Sequence, residues 1–494
     1  MSVCHLTRVG SFEEVYDLLI VGAGPAGLSA AITASELGLK VLLCDENASP
    51  GGQIYRGVTE ASSAQKARLG RDYAAGAKLV ARFLGSSSSY APRTAVWSVL
   101  PLGAGAREGN GLEVGISLDG AARLIMVQNV ILATGALERP FPIPGWTLPG
   151  VMTAGAAQIA LKTSGLVPNG RTILAGTGPL LYLLASQLID AGAPIATLID
   201  TTPAGNRRRA LSYVIDFARS PYGMKGLRLF SKVHRHVRVI HGAHTLAARG
   251  RDRLDEVVIT HPGGTERLAV GLLLLHQGVV PNLNLSLATG CNYGWDETPA
   301  TFTPDIDEWR MTSIPGVFIA GDAGGIVGAV ASASQGEIAG LSVATRMGRL
   351  TEAQRDALAV PVRARLKNAL RGRAFIDTLF RPAKAFRIPV HSDTIVCRCE
   401  EVTAGGIRDA ASLGVVGPNQ MKAFLRCGMG PCQGRLCGLT VTEILAEEHG
   451  ISPADVGYYR LRAPVKPVAL KELAALPKTD AAVMAVTGFV EKQG

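Results

Sequence analysis

Aromatic side chains are scarce in this chain, with 12 Phe, 10 Tyr and 4 Trp among 494 residues. Sequence-tolerant binding of single-stranded nucleic acid stacks bases on such rings, so their scarcity weighs against that class. Charge is sparse too, at 18% of residues, although basic groups prevail to give a formal net charge of +10. The basic excess gathers between Asn206 and Arg253, through Arg207, Arg208, Arg209, Lys225, Arg228, Lys232, Arg235 and Arg238. No nucleic-acid-binding motif accompanies it, so the expectation is a solvated face or a subunit contact and no nucleic-acid partner. The same stretch carries His234, His236, His241 and His244. Their spacing matches no helical zinc pair, and the run from His234 to Ile240 reads as an alternating strand.

Long uninterrupted apolar runs are missing as well. Thr172 to Ile189 reaches the lower edge of membrane-spanning length, but Gly176-Thr177-Gly178-Pro179 divides it into a strand, a turn and a buried helix. Pro140 to Leu161 is interrupted by several prolines and glycines. Met1 to Arg8 has neither a charged-then-apolar signal pattern nor a twin arginine. The sequence therefore predicts no transmembrane segment and a cytoplasmic location, with a peripheral membrane contact left open.

Glycine, by contrast, is abundant, at 58 residues with no collagen-like period. It marks tight turns and close approaches of backbone to ligand. Val15 to Val21 reads as a buried parallel strand, followed by Gly22-Ala23-Gly24-Pro25-Ala26-Gly27, an apolar helix to Leu37, and a second strand ending at Asp45. In that order Gly22 makes the turn, Gly24 admits a pyrophosphate to the backbone, and Gly27 lets the helix lie on the sheet. The free amides of the helix start then face the phosphates. Asp45, 18 residues past Gly27, stands where a carboxylate accepts from ribose hydroxyls. Val130 to Ala136, containing Ala133-Thr134-Gly135, and Ile314 to Asp322, ending in Gly321-Asp322, are two more apolar strands closing in small residues.

These segments together resemble the two-dinucleotide-domain flavoproteins that include thioredoxin reductase, over residues 15 to 345. The resemblance implies FAD, with its pyrophosphate on the glycine triplet and its ribitol on Asp322; Gly51-Gly52-Gln53 matches a flavin-side loop. The cofactor residues it implies are Gly22, Gly24, Pro25, Ala26, Gly27, Asp45, Glu46, Gly52, Gln53, Ala133, Thr134, Gly135, Arg139, Gly321 and Asp322. Thr172 to Asp200 repeats the strand, glycine turn and helix, but Leu181 occupies the third glycine position, which puts nicotinamide binding in doubt. Disulfide reductases of this kind need a Cys-x-x-Cys pair beside the flavin. The corresponding stretch, Gly150 to Ala157, has no cysteine, so that activity is excluded.

Five of the eight cysteines fall between Cys397 and Cys437. In a cytosolic protein such clustering speaks for metal ligation. Zinc ribbons favour Cys-x-x-Cys knuckles, so Cys397-Arg398-Cys399 points to an iron–sulfur cluster, with zinc the alternative. Thr403 can cap a short helix ended by Gly414, and a second helix from Pro418 delivers Cys427. A last helix is expected from Pro431 to Glu448. On it Cys432 and Cys437 would lie about 140° apart, so Cys437 is assigned to packing. This segment resembles the bacterioferritin-associated-ferredoxin-like 2Fe–2S domain, which implies Cys397, Cys399, Cys427 and Cys432 as ligands.

The reductase-like body without its dithiol, joined to Cys-Arg-Cys-Glu and Arg-Cys-Gly-Met-Gly-Pro-Cys-Gln-Gly-Arg, resembles the alpha subunits of bacterial multisubunit amine and opine dehydrogenases. That group includes octopine and nopaline oxidase, D-hydroxyproline dehydrogenase and hydrogen cyanide synthase. It implies an electron-transfer subunit that serves C–N bond oxidation on an amino-acid-oxidase-like beta subunit. In some relatives it also implies FMN at the alpha–beta contact and a small ferredoxin-like gamma subunit. No acid–base pair or nucleophile in this chain suggests substrate chemistry of its own. The competing classes are a self-contained NAD(P)H-dependent ferredoxin-type reductase and a structural subunit with a vestigial nucleotide pocket.

The expected fold is α/β, with two Rossmann-like domains of the thioredoxin-reductase-like type and a small, mainly helical 2Fe–2S domain. The expected boundaries are 1–145 with 290–350 for FAD, 146–289 for the second dinucleotide-type domain, and 351–390 for a helical connector. The cluster domain would span 391–450, and a tail 451–494.

Overall fold

A strand that is apolar on both faces needs cover on both sides. Val15–Val21 has it: Leu18, Leu19 and Ile20 are fully buried. The computed structural model describes residues 2–102 and 111–477, together with Met484 and Gly488. In it Val15–Val21 runs parallel to Val41–Asp45 on one side and to Ala121–Leu132 on the other. Ser89–Pro92 and Cys4–His5 extend the sheet in parallel beyond Val41–Asp45. Ala121–Leu132 is long enough to serve two further partners along its other edge. Its first half pairs antiparallel with Leu112–Leu118, which pairs in turn with Thr94–Pro101. Its last three residues take Val317–Ile319 in parallel, so the chain returns to this sheet after a long excursion.

The helix Pro25–Glu36 lies against Ala329–Arg346. Glycine sets how close they come: a Cβ on Gly336 would stand 2.0 Å from the Ala26 carbonyl oxygen. The excursion builds a second parallel sheet in the order Arg238–His241, Ile195–Asp200, Thr172–Thr177, Leu272–Gln277 and Val151–Thr153. An antiparallel meander, Thr245–Arg249, Glu256–His261 and Gly264–Ala269, is attached to it.

The strand expected across His234 to Ile240 divides differently. His234 and His236 close the helix Gly223–His236, and the strand begins only at Arg238. Leu227, Phe230 and Val233 recur every three residues, a helical interval, and only Val233 of the helix is buried. The alternation that suggested a strand starts at Val237.

Glu352–Leu370 carries a capping box between Thr351 and Gln354 and leads to Arg373–Leu379. The three helices Ala404–Ser412, Pro418–Leu425 and Gly438–His449 then form the small C-terminal module. Thr403 caps the first through the Gly406 amide, as the sequence predicts. The module is not tethered loosely. Its buried Ile407, Met421, Ile444 and Leu445 share one core with Val280, Leu283 and Phe302 of the body. The Trp146 indole donates to the Ile395 carbonyl at 2.8 Å, and Arg398 lies 5.2 Å from the centre of that ring. Glu443 pairs with Arg387 and stands 3.9 Å from Arg139, all three largely buried. Among the described residues no helix is long and apolar enough to cross a membrane.

Candidate nucleotide cradle and cysteine cluster

The first glycine turn is built to bring backbone against backbone. Gly22 has φ +107, and a Cβ there would meet the Ala133 carbonyl oxygen at 2.4 Å. On Gly27 a Cβ would sit 1.9 Å from the Gly22 carbonyl oxygen. Gly52, at φ +60, lies against Gly24, so the loop Gly51–Gln53 crosses the turn at the distance glycine alone allows. Pro25 opens the helix, where its missing N–H costs nothing. Ala26 is covered by Gly321 and Gly336, which gives it a packing role against the returning chain.

Asp45 closes the second strand and accepts from the Ala23 amide at 2.6 Å and from Asn47. Burial pushes its carboxyl above the ordinary value, opposed by those donors. Glu46 beside it pairs with Lys466. Asp322 accepts through Oδ1 from the amides of Val327 and Gly328 at 2.8 and 3.0 Å, and Gly328 caps the helix Ala329–Arg346. The Gly321 amide donates to Gln335. Thr134 and Gly135 are tied to Asn282, where the chain passes between the two sheets. These residues converge on one strand-to-helix cradle whose floor a Cβ would fill. That is the geometry a dinucleotide pyrophosphate requires, so the cradle fits FAD. Arg139 stands apart: its guanidinium is spent on the Pro299 carbonyl and on Glu443, at the seam with the C-terminal module.

Two groups near the cradle carry no sequence signal. Lys162, on the helix Ala154–Ser164, is 5% exposed and donates to the Gln53 carbonyl at 3.1 Å and to Gln158 at 3.0 Å. Burial, with the charge of Arg56, brings its ammonium down to about 8. His276 is buried behind the second glycine turn, with Nδ1 2.7 Å from Glu138. The other Glu138 oxygen accepts from the Gly155 amide.

At the second turn, Gly176 and Gly178 keep positive φ, and Leu181 is wholly buried. Asp200, the ribose-position carboxylate, is occupied by protein groups: the Thr202 amide, Tyr182 hydroxyl, Arg207 and His241. Burial alone would push this carboxyl up, but the hydrogen bonds from His241 and Thr202 outweigh it and bring it below the ordinary value.

The cysteine segment departs from expectation. Pro431 does not open a helix; residues 426–437 form a run of turns, and the helix begins at Gly438 with Cys437 as its N-cap. Gly428 and Gly434 take positive φ, and a Cβ on either would meet the Tyr459 ring at 2.5 Å. The loop thus wraps one tyrosine in a path closed to an α-helix. Cys432 and Cys437 therefore do not share a helix, and the angular reason for assigning Cys437 to packing disappears. The sulfurs of Cys397, Cys427 and Cys437 lie within 4.8 Å of one another, all buried. Hydrogen bonds from Cys427 and Cys437 draw the Cys397 thiol well below its ordinary value, and theirs are pushed up in return. Cys399, exposed, and the half-buried Cys432 stand together on the outer side. Gly430 permits this, since a Cβ there would stand 2.2 Å from that of Cys399. Five free thiols brought together by the Cys397–Cys399 segment and the 427–437 loop, three of them buried at coordinating separation, fit a thiolate-bound metal or iron–sulfur centre.

A mixed sheet and a parallel sheet, each opening on a glycine turn, give the chain the α/β fold of dinucleotide-binding oxidoreductases. The sequence profile of the pyridine nucleotide-disulphide oxidoreductase family matches residues 16–348, and that of the sarcosine oxidase A3 domain matches residues 391–476. Within that class the chain belongs to the family of opine oxidase A subunits. It is 48% identical over 488 residues to the A subunit of opine oxidase from Rhizobium meliloti, covering 99% of this chain and 93% of that one. It is 32% identical to hydrogen cyanide synthase subunit HcnB of Pseudomonas aeruginosa, covering 91% of this chain and 96% of that one. Among solved structures, L-proline dehydrogenase from P. horikoshii aligns with a TM-score of 0.70 at 18% identity, covering 96% of this chain and 80% of that one, a likeness of fold. The chain is thus an oxidoreductase subunit of a multisubunit oxidase type.

Proposed function

We propose that this chain is the electron-transfer subunit of a heteromeric dehydrogenase that oxidises the C–N bond of an opine or imino acid. The observation that carries the reading is the enclosed group of Cys397, Cys427 and Cys437 docked on a flavoprotein fold that lacks a reactive dithiol. Its similarity to the A subunit of opine oxidase supports the substrate class.

FAD, held by Gly22, Gly24, Gly27, Asp45 and Asp322, supplies a two-electron acceptor able to release electrons singly. A 2Fe–2S cluster needs four of the five cysteines and supplies a one-electron carrier. Cys397, Cys427 and Cys437 are the inner donors, with Cys399 or Cys432 completing the set. Arg398 and Arg435 would offset the negative charge there, whereas Arg426 pairs with Glu400. Lys162 fixes the Gln53 loop over the cradle, and Arg139, Arg387 and Glu443 hold the cysteine module against the body. Substrate chemistry belongs to an amino-acid-oxidase-like beta subunit, with FMN at the contact and a small ferredoxin-like chain as further components. A nicotinamide-driven reductase is disfavoured because the Asp200 carboxylate is already taken by Thr202, Tyr182, Arg207 and His241.

The test is to purify this chain alone and with such a beta subunit, then assay octopine, nopaline, D-hydroxyproline and proline with an artificial acceptor. Substrate-dependent reduction should require both chains. Oxidation by this chain alone at the rate of the complex refutes the reading, as does rapid flavin bleaching by NADH.

A further inference from the structure

The cysteine loop has an outer wall as well as an inner one. Between the helix Pro418–Leu425 and the segment 460–464 lies a surface depression of about 600 Å³, lined by Lys422, Met429, Gln433, Arg460 and Arg462 among others. Three of its lining residues are cationic and none is acidic. Met429 and Gln433 belong to the loop that carries Cys427, Cys432 and Cys437. Met429 and Phe424 beside it are exposed, at 48% and 56%.

The cations stand on a fixed frame. The Lys422 ammonium donates to the Arg460 carbonyl at 3.2 Å, and the Arg460 amide donates to Asn419 at 2.8 Å. These bonds clamp the tail to the helix. The frame also reaches inward: Lys422 lies 4.9 Å from the centre of the Tyr459 ring, and the Tyr459 hydroxyl is 3.8 Å from the Cys437 sulfur. Tyr459 therefore stands between the lining Lys422 and the buried Cys437, and Gly428, next to Cys427, lines the depression itself. Transient interfaces of this kind place charge for steering around a small apolar contact.

We propose that this depression is the docking site of an acidic one-electron carrier protein. The proposal rests on the reading of the cysteines as an iron–sulfur site. Lys422, Arg460 and Arg462 meet the carrier's carboxylates, and Met429 makes the dry contact above the loop. Each encounter moves one electron from the cysteine-held centre to the carrier, oxidising one and reducing the other, with no bond or proton exchanged. Two encounters balance the two electrons of one C–N oxidation.

The experiment titrates the full chain with an acidic plant-type 2Fe–2S ferredoxin by calorimetry at low ionic strength. The double variant Arg460→Glu/Arg462→Glu is compared with Arg228→Glu/Arg235→Glu, which makes the same charge change on the exposed helix Gly223–His236. The pocket variant should bind at least tenfold more weakly and the control within twofold of the parent. Electron transfer to the carrier should slow in parallel, with the EPR signal of the reduced chain unchanged. Equal losses in both variants, or no loss in either, overturn the docking site. Binding that depends on the pocket in a chain whose reduced form gives no cluster signal overturns the iron–sulfur reading and leaves the docking site standing.

Discussion

Lys162 offers a quantitative handle because its ammonium is buried between two neutral acceptors, with no carboxylate in its hydrogen-bond shell. Burial, then the Arg56 charge, lowers it from 10.5 to about 8. The folded protein therefore sheds this proton earlier than the unfolded chain. Between about pH 8 and 10.5 the unfolded state binds the extra proton, so stability from this group rises with pH across that window. Each pH unit is worth about 1.4 kcal/mol, so the interval amounts to roughly 3 kcal/mol. Lys162→Met keeps the length of the side chain and removes the titration. Thermal or urea unfolding of both proteins from pH 7 to 10.5 isolates this contribution, since every other group titrates in both. The parent should gain on the variant by about 3 kcal/mol over that range, with most of the gain above pH 8. Parallel profiles would refute the burial argument and place water beside the ammonium.

Three other outcomes follow from the same geometry. Gly27→Ala forces a Cβ to 1.9 Å from the Gly22 carbonyl, and should lower flavin per purified chain at least tenfold, read from visible absorbance, while far-ultraviolet circular dichroism stays near that of the parent. Glu443→Gln leaves Arg387 and Arg139 without their buried counter-charge and should cost about 3–5 kcal/mol in unfolding experiments; a loss below about 1 kcal/mol would mean the seam is wet. Cys437→Ser should abolish or strongly shift the iron–sulfur absorbance and EPR of anaerobically reconstituted protein; an unaltered spectrum would return Cys437 to a packing role.

The local signals that were legible are those in which a few adjacent residues do the whole job. Gly22 and Gly27 specify a turn by steric exclusion, and Thr403 specifies a helix start by offering one oxygen to one amide. Both appear in the fold as read. The stretch from His234 to Ile240 misled because the end of a helix and the start of a strand abut at Val237, and alternation over so few residues does not separate them. Lys162 with Gln53, and Glu138 with His276, are pairs made across 109 and 138 positions, which no spacing within the chain encodes.

The sequence by itself determined the dinucleotide-type α/β plan, the absence of a reactive dithiol, and the presence of a thiol-rich module, because each depends on residue identity within a short window. Tertiary structure decided which thiols meet. Tyr459, 22 residues beyond Cys437, draws Gly428 and Gly434 around its ring and holds the loop open ahead of the last helix. That single packing choice moves Cys437 from the flank of a helix into contact with Cys397 and Cys427.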